Sequence, residues 1–271
     1  MHVRQLQLDE LYAVLRGVND GDISDDQAIQ RLERSRHWVS TAIDPESELL
    51  LAIAVGPRTL TMAQRVVHQV VQRFASTCVP MWSSGGFKGY LPAILGHCGV
   101  WHQPERKRAQ GPVPKPRWMP LPGLLYAQVL KQYRRKRVVR AQHRVVFGTL
   151  EAVEHVLAAC GWKINTSFIE RLNLDIRQRV AAVGRRVNTL CQGEDGLQHQ
   201  LALFHVYHNF VLAHASLRQP LQAPESTNGR GSAKVWRPCT PAMAAGLTDH
   251  VWTLQEVLLF RVPPWPQSHT V

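Results

Sequence analysis

The chain has 271 residues, of which 45% are hydrophobic, so it is long enough to fold as one large domain or two small ones. Its longest apolar run, Leu49 to Val55, is too short to span a bilayer, and the first residues lack the apolar segment of a signal peptide. The five cysteines contain no CxxC pair, so we expect no disulfide framework and a reducing, cytoplasmic location.

The formal net charge of +12 is distributed unevenly along the chain. Residues 1–48 contain 10 of the 20 acids, whereas residues 49–150 contain 16 Lys and Arg and a single acid, Glu105. A long segment almost free of carboxylates indicates a polyanionic partner. An anionic membrane is the alternative, but the sequence shows no lipidation signal and no amphipathic N-terminal helix, so we expect no membrane partner.

The first half of the chain alternates predicted strands and helices. A first strand ends at Asp9, and a hairpin is predicted around the turn Asp44-Pro45-Glu46-Ser47, where we expect Asp44 to cap the turn rather than bind metal. The elements predicted from apolar periodicity are strand Val3–Leu8, helix 20–35, strands Trp38–Ile43 and Glu48–Val55, helix Thr59–Phe74, strand Cys78–Trp82 and helix Phe87–Leu95.

The second half begins with a segment that has no apolar periodicity. Residues 99–123 contain six prolines and are predicted to be a basic loop or insertion. A last strand at Arg144–Phe147 is followed by helices at Thr149–Ala159 and from Asn165 onward, and residues 219–240 are predicted to be a flexible loop. These elements predict an α/β fold, with a core at residues 1–180 and a helical C-terminal extension at residues 181–271.

The helix from Asn165 carries Glu170 next to an arginine. Phe168, Leu172, Ile176 and Val180 recur at a spacing of four and form its predicted buried stripe, which leaves Glu170 on another face with Asn173 and Arg177. A carboxylate beside arginines suits the chemistry of nucleic-acid strands, because carboxylates bind metal ions and arginines bind phosphates. The simpler alternative is a surface helix with Glu–Arg pairs.

Several segments together resemble the catalytic domain of DDE transposases from bacterial insertion sequences, particularly the insertion-sequence-one type, which has a ribonuclease-H-like fold. The ordered set covers nearly the whole chain. Its members are Leu8-Asp9-Glu10-Leu11, Gly56-Pro57-Arg58-Thr59, Ser84-Gly85-Gly86, Ile169-Glu170-Arg171-Leu172-Asn173, Tyr207-His208-Asn209-Phe210 and Thr240-Pro241-Ala242-Met243.

The resemblance implies Mg²⁺- or Mn²⁺-dependent hydrolysis and strand transfer on DNA, with Asp9 and Glu170 as metal ligands. The family has its second acid where this chain has Gly85, so we expect weak metal binding, if any, and a degenerate enzyme. The chain also looks truncated, because such transposases usually begin with a segment that reads the ends of the element. Proposed DNA contacts are Arg171 and Arg177 near the scissile phosphate, and Arg134, Arg135, Lys136 and Arg137 along the backbone.

Two alternatives remain open at this stage. Beside the degenerate transposase, the first is a catalytically inactive nucleic-acid-binding remnant, and the second is a basic module that binds RNA or protein without metal. A homo-oligomer is compatible with each of these. A zinc site at His97, Cys98 and His102 is not expected, because no second ligand pair has the usual spacing. The discriminating prediction is that Asp9, Gly85 and Glu170 converge at one edge of the sheet.

Overall fold

The computed structural model describes residues 1–13, 37–75, 77–106, 113–134, 137–183, 193–227 and 231–261. The helix predicted at 20–35 lies outside these ranges. The chain divides into two compact units, Met1–Ala202 and Leu203–Val271.

The first unit is built on a mixed sheet of six strands, which confirms the predicted α/β class. The order across the sheet is β3-β2-β1-β4-β7-β8, with β1 parallel to β4, β4 parallel to β7, and the other neighbours antiparallel. The bounds are β1 Gln5–Tyr12, β2 Trp38–Asp44, β3 Leu49–Gly56, β4 Met81–Ser84, β7 Tyr126–Arg134 and β8 Arg137–Phe147.

The central strands are apolar because helices flank the sheet. All but one residue of β3 are buried, and the side chains of Leu6 and Leu8 on β1 have no exposed surface. Asp44 accepts hydrogen bonds from the Glu46 amide (3.1 Å) and the Ser47 hydroxyl (2.6 Å), so it caps the β2–β3 turn. Burial raises the pKa of this carboxyl group.

Two helices of the first unit begin at threonine caps, and the helices predicted from the sequence in residues 59–159 end close to the expected positions. Thr59 caps the first helix by accepting a hydrogen bond from the Met62 amide, and Thr149 caps the third in the same way. Buried residues on α4 begin at Ile169 rather than at the predicted Phe168, which is only half-buried against Trp162. The bounds are α1 Leu60–Val71, α2 Tyr90–His97, α3 Leu150–Ala158, α4 Ser167–Arg179 and α5 Glu194–Val206.

Two segments predicted as loops contain small hairpins instead. Within residues 99–123, β5 (Gly99–His102) pairs with β6 (Arg117–Pro120), and within residues 219–240, β9 (Gln219–Glu225) pairs with β10 (Lys234–Arg237). Both sheets have only two strands. Proline is tolerated in such edge strands because one side of each strand donates no ladder hydrogen bond.

The second unit also contains a five-residue π-helix, Tyr207–Val211, and two short helices, α6 (Pro241–Ala244) and α7 (Leu254–Leu259). Thr253 and Glu256 form a reciprocal capping box at the start of α7. Across the described ranges of both units, no helix combines the length and the apolar character needed to cross a membrane.

Candidate functional site

The candidate site lies where β1 runs beside β4. The two strands are parallel, and Leu8 is paired with Ser84, so the residues that follow, Asp9 and Gly85, reach the same position of the sheet. A Cβ atom built on Gly85 would lie 3.8 Å from Asp9 Oδ1, which is ordinary van der Waals contact. Gly85 has no positive φ, so its backbone suits any side chain. The structure thus brings together the first and second acid positions expected from the sequence.

Helix α4 brings Glu170 to the same place. The side chain of Gln7, two residues before Asp9, accepts a hydrogen bond from the Ile169 amide (3.1 Å) and donates to the Asn165 carbonyl (3.1 Å). These contacts fix the first turn of α4 against β1. The Glu170 charge is close enough to raise the pKa of Asp9. All three positions expected to converge therefore lie together.

Asn173 orients the Asp9 carboxylate. It lies one helical turn after Glu170 and is buried, and its Nδ2 donates to Asp9 Oδ2 at 2.7 Å. Its Oδ1 accepts from the Thr41 hydroxyl at 3.3 Å, and Thr41 lies opposite Asp9 in the β1–β2 register. One oxygen of Asp9 is therefore held by an amide, while the other, Oδ1, faces Gly85.

Lys131 supplies the positive charge of the site. This residue of β7 pairs with Glu170 Oε1, which also accepts from the Thr166 hydroxyl at 2.5 Å. The ammonium lies near enough to Asp9 to lower that residue's pKa. Lys131 is not among the residues that the sequence predicts to contact DNA or metal. Its pairing with Glu170 depends on β7 lying next to β4, which no local pattern reveals.

The net effect on Asp9 is a pKa raised from 3.8 to about 7. Burial is the largest cause, because it disfavours the charged form, and the charges of Glu10 and Glu170 act in the same direction. The Glu10 backbone amide and the Lys131 ammonium oppose this rise. Asp9 therefore changes its charge near neutral pH, where an ordinary aspartate is fully ionised.

A second ion pair lies beside the site. Arg58 Nε donates to Glu10 Oε1 at 2.8 Å, and the Glu10 side chain is only 7% exposed. The guanidinium lies 5.1 Å from the centre of the Trp38 ring and 4.6 Å from that of Phe87. Burial and the charges of Glu10 and Asp9 raise the pKa of Tyr90 well above its usual value. Arg58 belongs to the Gly-Pro-Arg-Thr segment, in which the sequence predicts no site residue.

These residues do not fit the two divalent cations that the transposase resemblance implies. A two-metal site needs several carboxylates to hold both ions, and here Gly85 contributes no ligand atom. One oxygen of Glu170 is already bound by Lys131 and Thr166, and one oxygen of Asp9 is bound by Asn173. Within the described ranges, no three His, Cys, Asp or Glu side chains are grouped so that they could hold a metal ion.

The predicted DNA-contact residues surround the site only in part. Arg171 is exposed beside Glu170 on α4, and Arg177 is half-buried further along the same helix. Arg134 is exposed at the end of β7. Arg135 and Lys136 lie outside the described residues, as does the side chain of Arg137, the first residue of β8.

Comparison of the chain with protein-family models, with curated proteins and with solved structures found no match.

Proposed function

We propose that this protein is a ribonuclease-H-like domain of the DDE transposase type that binds DNA and has an incomplete strand-cleavage site. The convergence of Asp9, Gly85 and Glu170 is the observation that carries this proposal. These three positions are far apart in the sequence. They correspond, in order, to the three acid positions that the resemblance assigned.

The sheet topology supports the fold assignment. Strand β1 lies inside the sheet, between the antiparallel β2–β3 hairpin on one side and the parallel strand β4 on the other. A mixed sheet with the first acid position on β1, the second directly after β4 and the third on a later helix is the arrangement expected from the resemblance. Asp9 lies within β1 rather than at the strand end predicted from the sequence. A basic RNA- or protein-binding module has no comparable reason to place its acids together.

The charge distribution supports DNA as the partner. Sixteen Lys and Arg accompany one acid in residues 49–150, and this segment includes all of β4, β7 and β8. Arg134, Arg140 and Arg144 on β7 and β8 are exposed. Contacts from these side chains to phosphates would supply sequence-tolerant affinity through the release of counterions.

The incomplete site follows from the ligands that remain. With Gly85 in the second acid position, the carboxylates of Asp9 and Glu170 are neutralised by Lys131 and by protonation of Asp9 near pH 7. Neither neutralising proton nor ammonium can take over the role of a divalent cation at a leaving oxygen. We therefore expect DNA binding without strand cleavage.

The direct test restores the acid. Gly85→Asp places a third carboxylate beside Asp9, and Gly85→Asn is the matched control, with the same shape and no charge. We expect calorimetry at pH 7.5 to show Mn²⁺ binding at least about tenfold tighter for the Asp variant than for either the Asn variant or the original chain. Equal Mn²⁺ affinity in all three proteins would show that position 85 is not the vacant ligand position.

DNA binding is tested separately, through its dependence on salt. The slope of log affinity against log salt measures the number of phosphates contacted, at roughly 0.9 per phosphate of B-DNA. Replacing Arg134, Arg135, Lys136 and Arg137 together with Ala should reduce this slope by about 2 to 4 for duplexes of any sequence. An unchanged slope would exclude these residues from phosphate contact. Absence of duplex binding by the original chain would refute the proposed function.

A further inference from the structure

The hairpin formed by β5 and β6 carries two exposed tryptophans that the proposed function does not use. Trp101 and Trp118 are directly opposite each other in the antiparallel register. Their rings meet edge to face, with centroids 5.4 Å apart and planes inclined by 65°. Trp101 is 56% exposed and Trp118 is 43% exposed. Because the rings are not stacked on each other, aromatic faces remain open to solvent.

The hairpin holds these rings on an ordered base. The Leu121 amide donates to the Cys98 carbonyl at 3.0 Å, which closes the base of the hairpin, and Gln103 Nε2 donates to the Pro114 carbonyl at 2.6 Å further out. A Cβ atom at Gly99 would lie 2.3 Å from the Leu95 carbonyl oxygen, so β5 packs directly against the end of α2. The tryptophans are therefore displayed by a fixed scaffold.

The charge of this segment determines which partner fits. Between Gly99 and Pro120 the chain has five Lys and Arg residues and one acid, Glu105. Among the described residues, Lys115 and Arg117 are exposed. A second copy of the hairpin would bring like charges together, and an apolar protein surface would leave these cations without partners. A phosphate backbone complements the cations, and bases complement the open aromatic faces.

We propose that Trp101 and Trp118 form a stacking platform for unpaired bases of single-stranded DNA, with Lys115 and Arg117, which precede Trp118 in the chain, holding phosphates. Base–aromatic stacking is tolerant of sequence because every base has a π face. This inference rests on the proposed function in one respect only, namely that the partner is DNA, and it adds that unpaired strands are bound at a place of their own.

The position of the platform suggests how a strand would reach it. Helix α2 begins at Tyr90, whose hydroxyl lies within the electrostatic influence of Glu10 and Asp9, and ends two residues before β5. An eight-residue helix is about 12 Å long. That length corresponds to three or four stacked nucleotides at roughly 3.4 Å each. A strand end leaving the acid site along α2 would thus meet the tryptophans within a few nucleotides.

The experiment compares variants in which both tryptophans are replaced by apolar side chains with or without an aromatic ring. Trp101→Leu with Trp118→Leu keeps the apolar surface and removes the rings, whereas the corresponding double Phe variant keeps two rings. Val100→Ala with Met119→Ala removes the apolar pair that lies next to the tryptophans in the same register. Fluorescence anisotropy would measure the binding of an oligothymidine, of an abasic strand of equal length, and of a duplex. Melting curves would confirm that every variant is folded.

We expect the double Leu variant to bind oligothymidine at least about tenfold more weakly, because each stacked base contributes roughly 1–3 kcal/mol. The double Phe variant and the Val100/Met119 variant should stay within about threefold of the original chain, and abasic and duplex binding should not change. Equal binding of oligothymidine and abasic strand by the original chain would overturn the inference. So would a double Leu variant that binds oligothymidine normally, which is also the result expected if the hairpin serves a protein partner.

The two proposals fail in different ways. If the original chain binds no duplex but binds single strands in a base-dependent way, the transposase-type function is refuted and the stacking platform is supported. Duplex binding without any preference for base-containing single strands would do the reverse.

Discussion

Asp9→Asn should stabilise the protein at alkaline pH and leave its stability unchanged in acid. Asp9 has a pKa of about 7 in the folded chain, against 3.8 when unperturbed. The folded state therefore binds more protons than the unfolded state between these two values, and stability falls as the pH rises from about 4 to above 7. Asparagine carries no charge to bury, and its carbonyl oxygen can still accept from Asn173 Nδ2.

The magnitude follows from the size of the shift. A difference of about three pKa units corresponds to about 4 kcal/mol if the site were wholly shielded from solvent. Asp9 is only half-buried by surface area, so solvent screening reduces the expected gain to about 2 kcal/mol at pH 8. At pH 4 the folded protein already carries the neutral acid, and the two proteins should unfold at nearly the same urea concentration.

Urea unfolding at pH 4, 6 and 8 measures this difference directly. Subtracting the unfolding free energy of one protein from that of the other at each pH cancels the titration of every other group. Asp175→Asn, further along α4, is a matched control that should give no pH-dependent difference of this size. An Asp9→Asn protein that is less stable than the original at pH 8, or a difference that does not vary with pH, would refute the argument that burial and neighbouring charges govern this carboxyl group.

Two further predictions concern the neighbouring ion pairs. Lys131→Met removes the positive charge that lowers the pKa of Asp9, so this pKa should rise above about 7; a carboxyl-carbon NMR titration that shows no rise would contradict the placement of Lys131. Arg58→Ala leaves the nearly buried carboxylate of Glu10 without this partner and should cost about 1–3 kcal/mol of unfolding free energy, less than for a fully buried pair because Arg58 is 41% exposed. Arg58→Lys should recover only part of this loss, because an ammonium replaces neither the planar contact with Trp38 and Phe87 nor the geometry of the guanidinium; full recovery in urea unfolding would show that charge alone matters.

Most strands and helices of the core were predictable because their apolar periods are local, but β7 was not predicted, and of β8 only the last four residues, Arg144–Phe147, were. The alternation before Asp9 and the stripe Met62, Val66, Val67 and Val70 required no knowledge of the rest of the chain. The meeting of Asp9 with Gly85 was also accessible, since each follows a predicted strand. It nevertheless came from the resemblance rather than from periodicity, because no pattern states which strands are neighbours.

The small hairpins were missed because proline dominates their sequences. Strand β9 contains Pro220 and Pro224, and β6 ends in Pro120. Proline argues against a central strand, in which every amide is needed for hydrogen bonds to neighbouring strands. In a two-stranded sheet, half of the amides face away from the partner strand, so proline is tolerated there. The short alternating run around Trp101 was the available signal, and four residues are too few to outweigh the prolines on either side.

The contacts between side chains of the site could not be predicted from the sequence, for a different reason. Lys131 reaches Glu170 only because β7 is parallel to β4, and Asn173 reaches Asp9 only because α4 packs across β1. Lys131 belongs to a basic run, and Asn173 belongs to the polar face of a helix. Each of these local patterns is explained without any contact to the acids. Nothing in either segment distinguishes the residue that reaches the acids from its neighbours.

Gln7 holds the first turn of α4 with uncharged hydrogen bonds, and this has a genetic consequence. The positions of Asp9 and Glu170 do not depend on a bound cation or on an acid at position 85, so the framework around Gly85 is present without them. A single base change converts any glycine codon into one for aspartate or glutamate. The gene is therefore one point mutation away from encoding a third carboxylate at this place, for as long as Gln7 and its partners on α4 are retained.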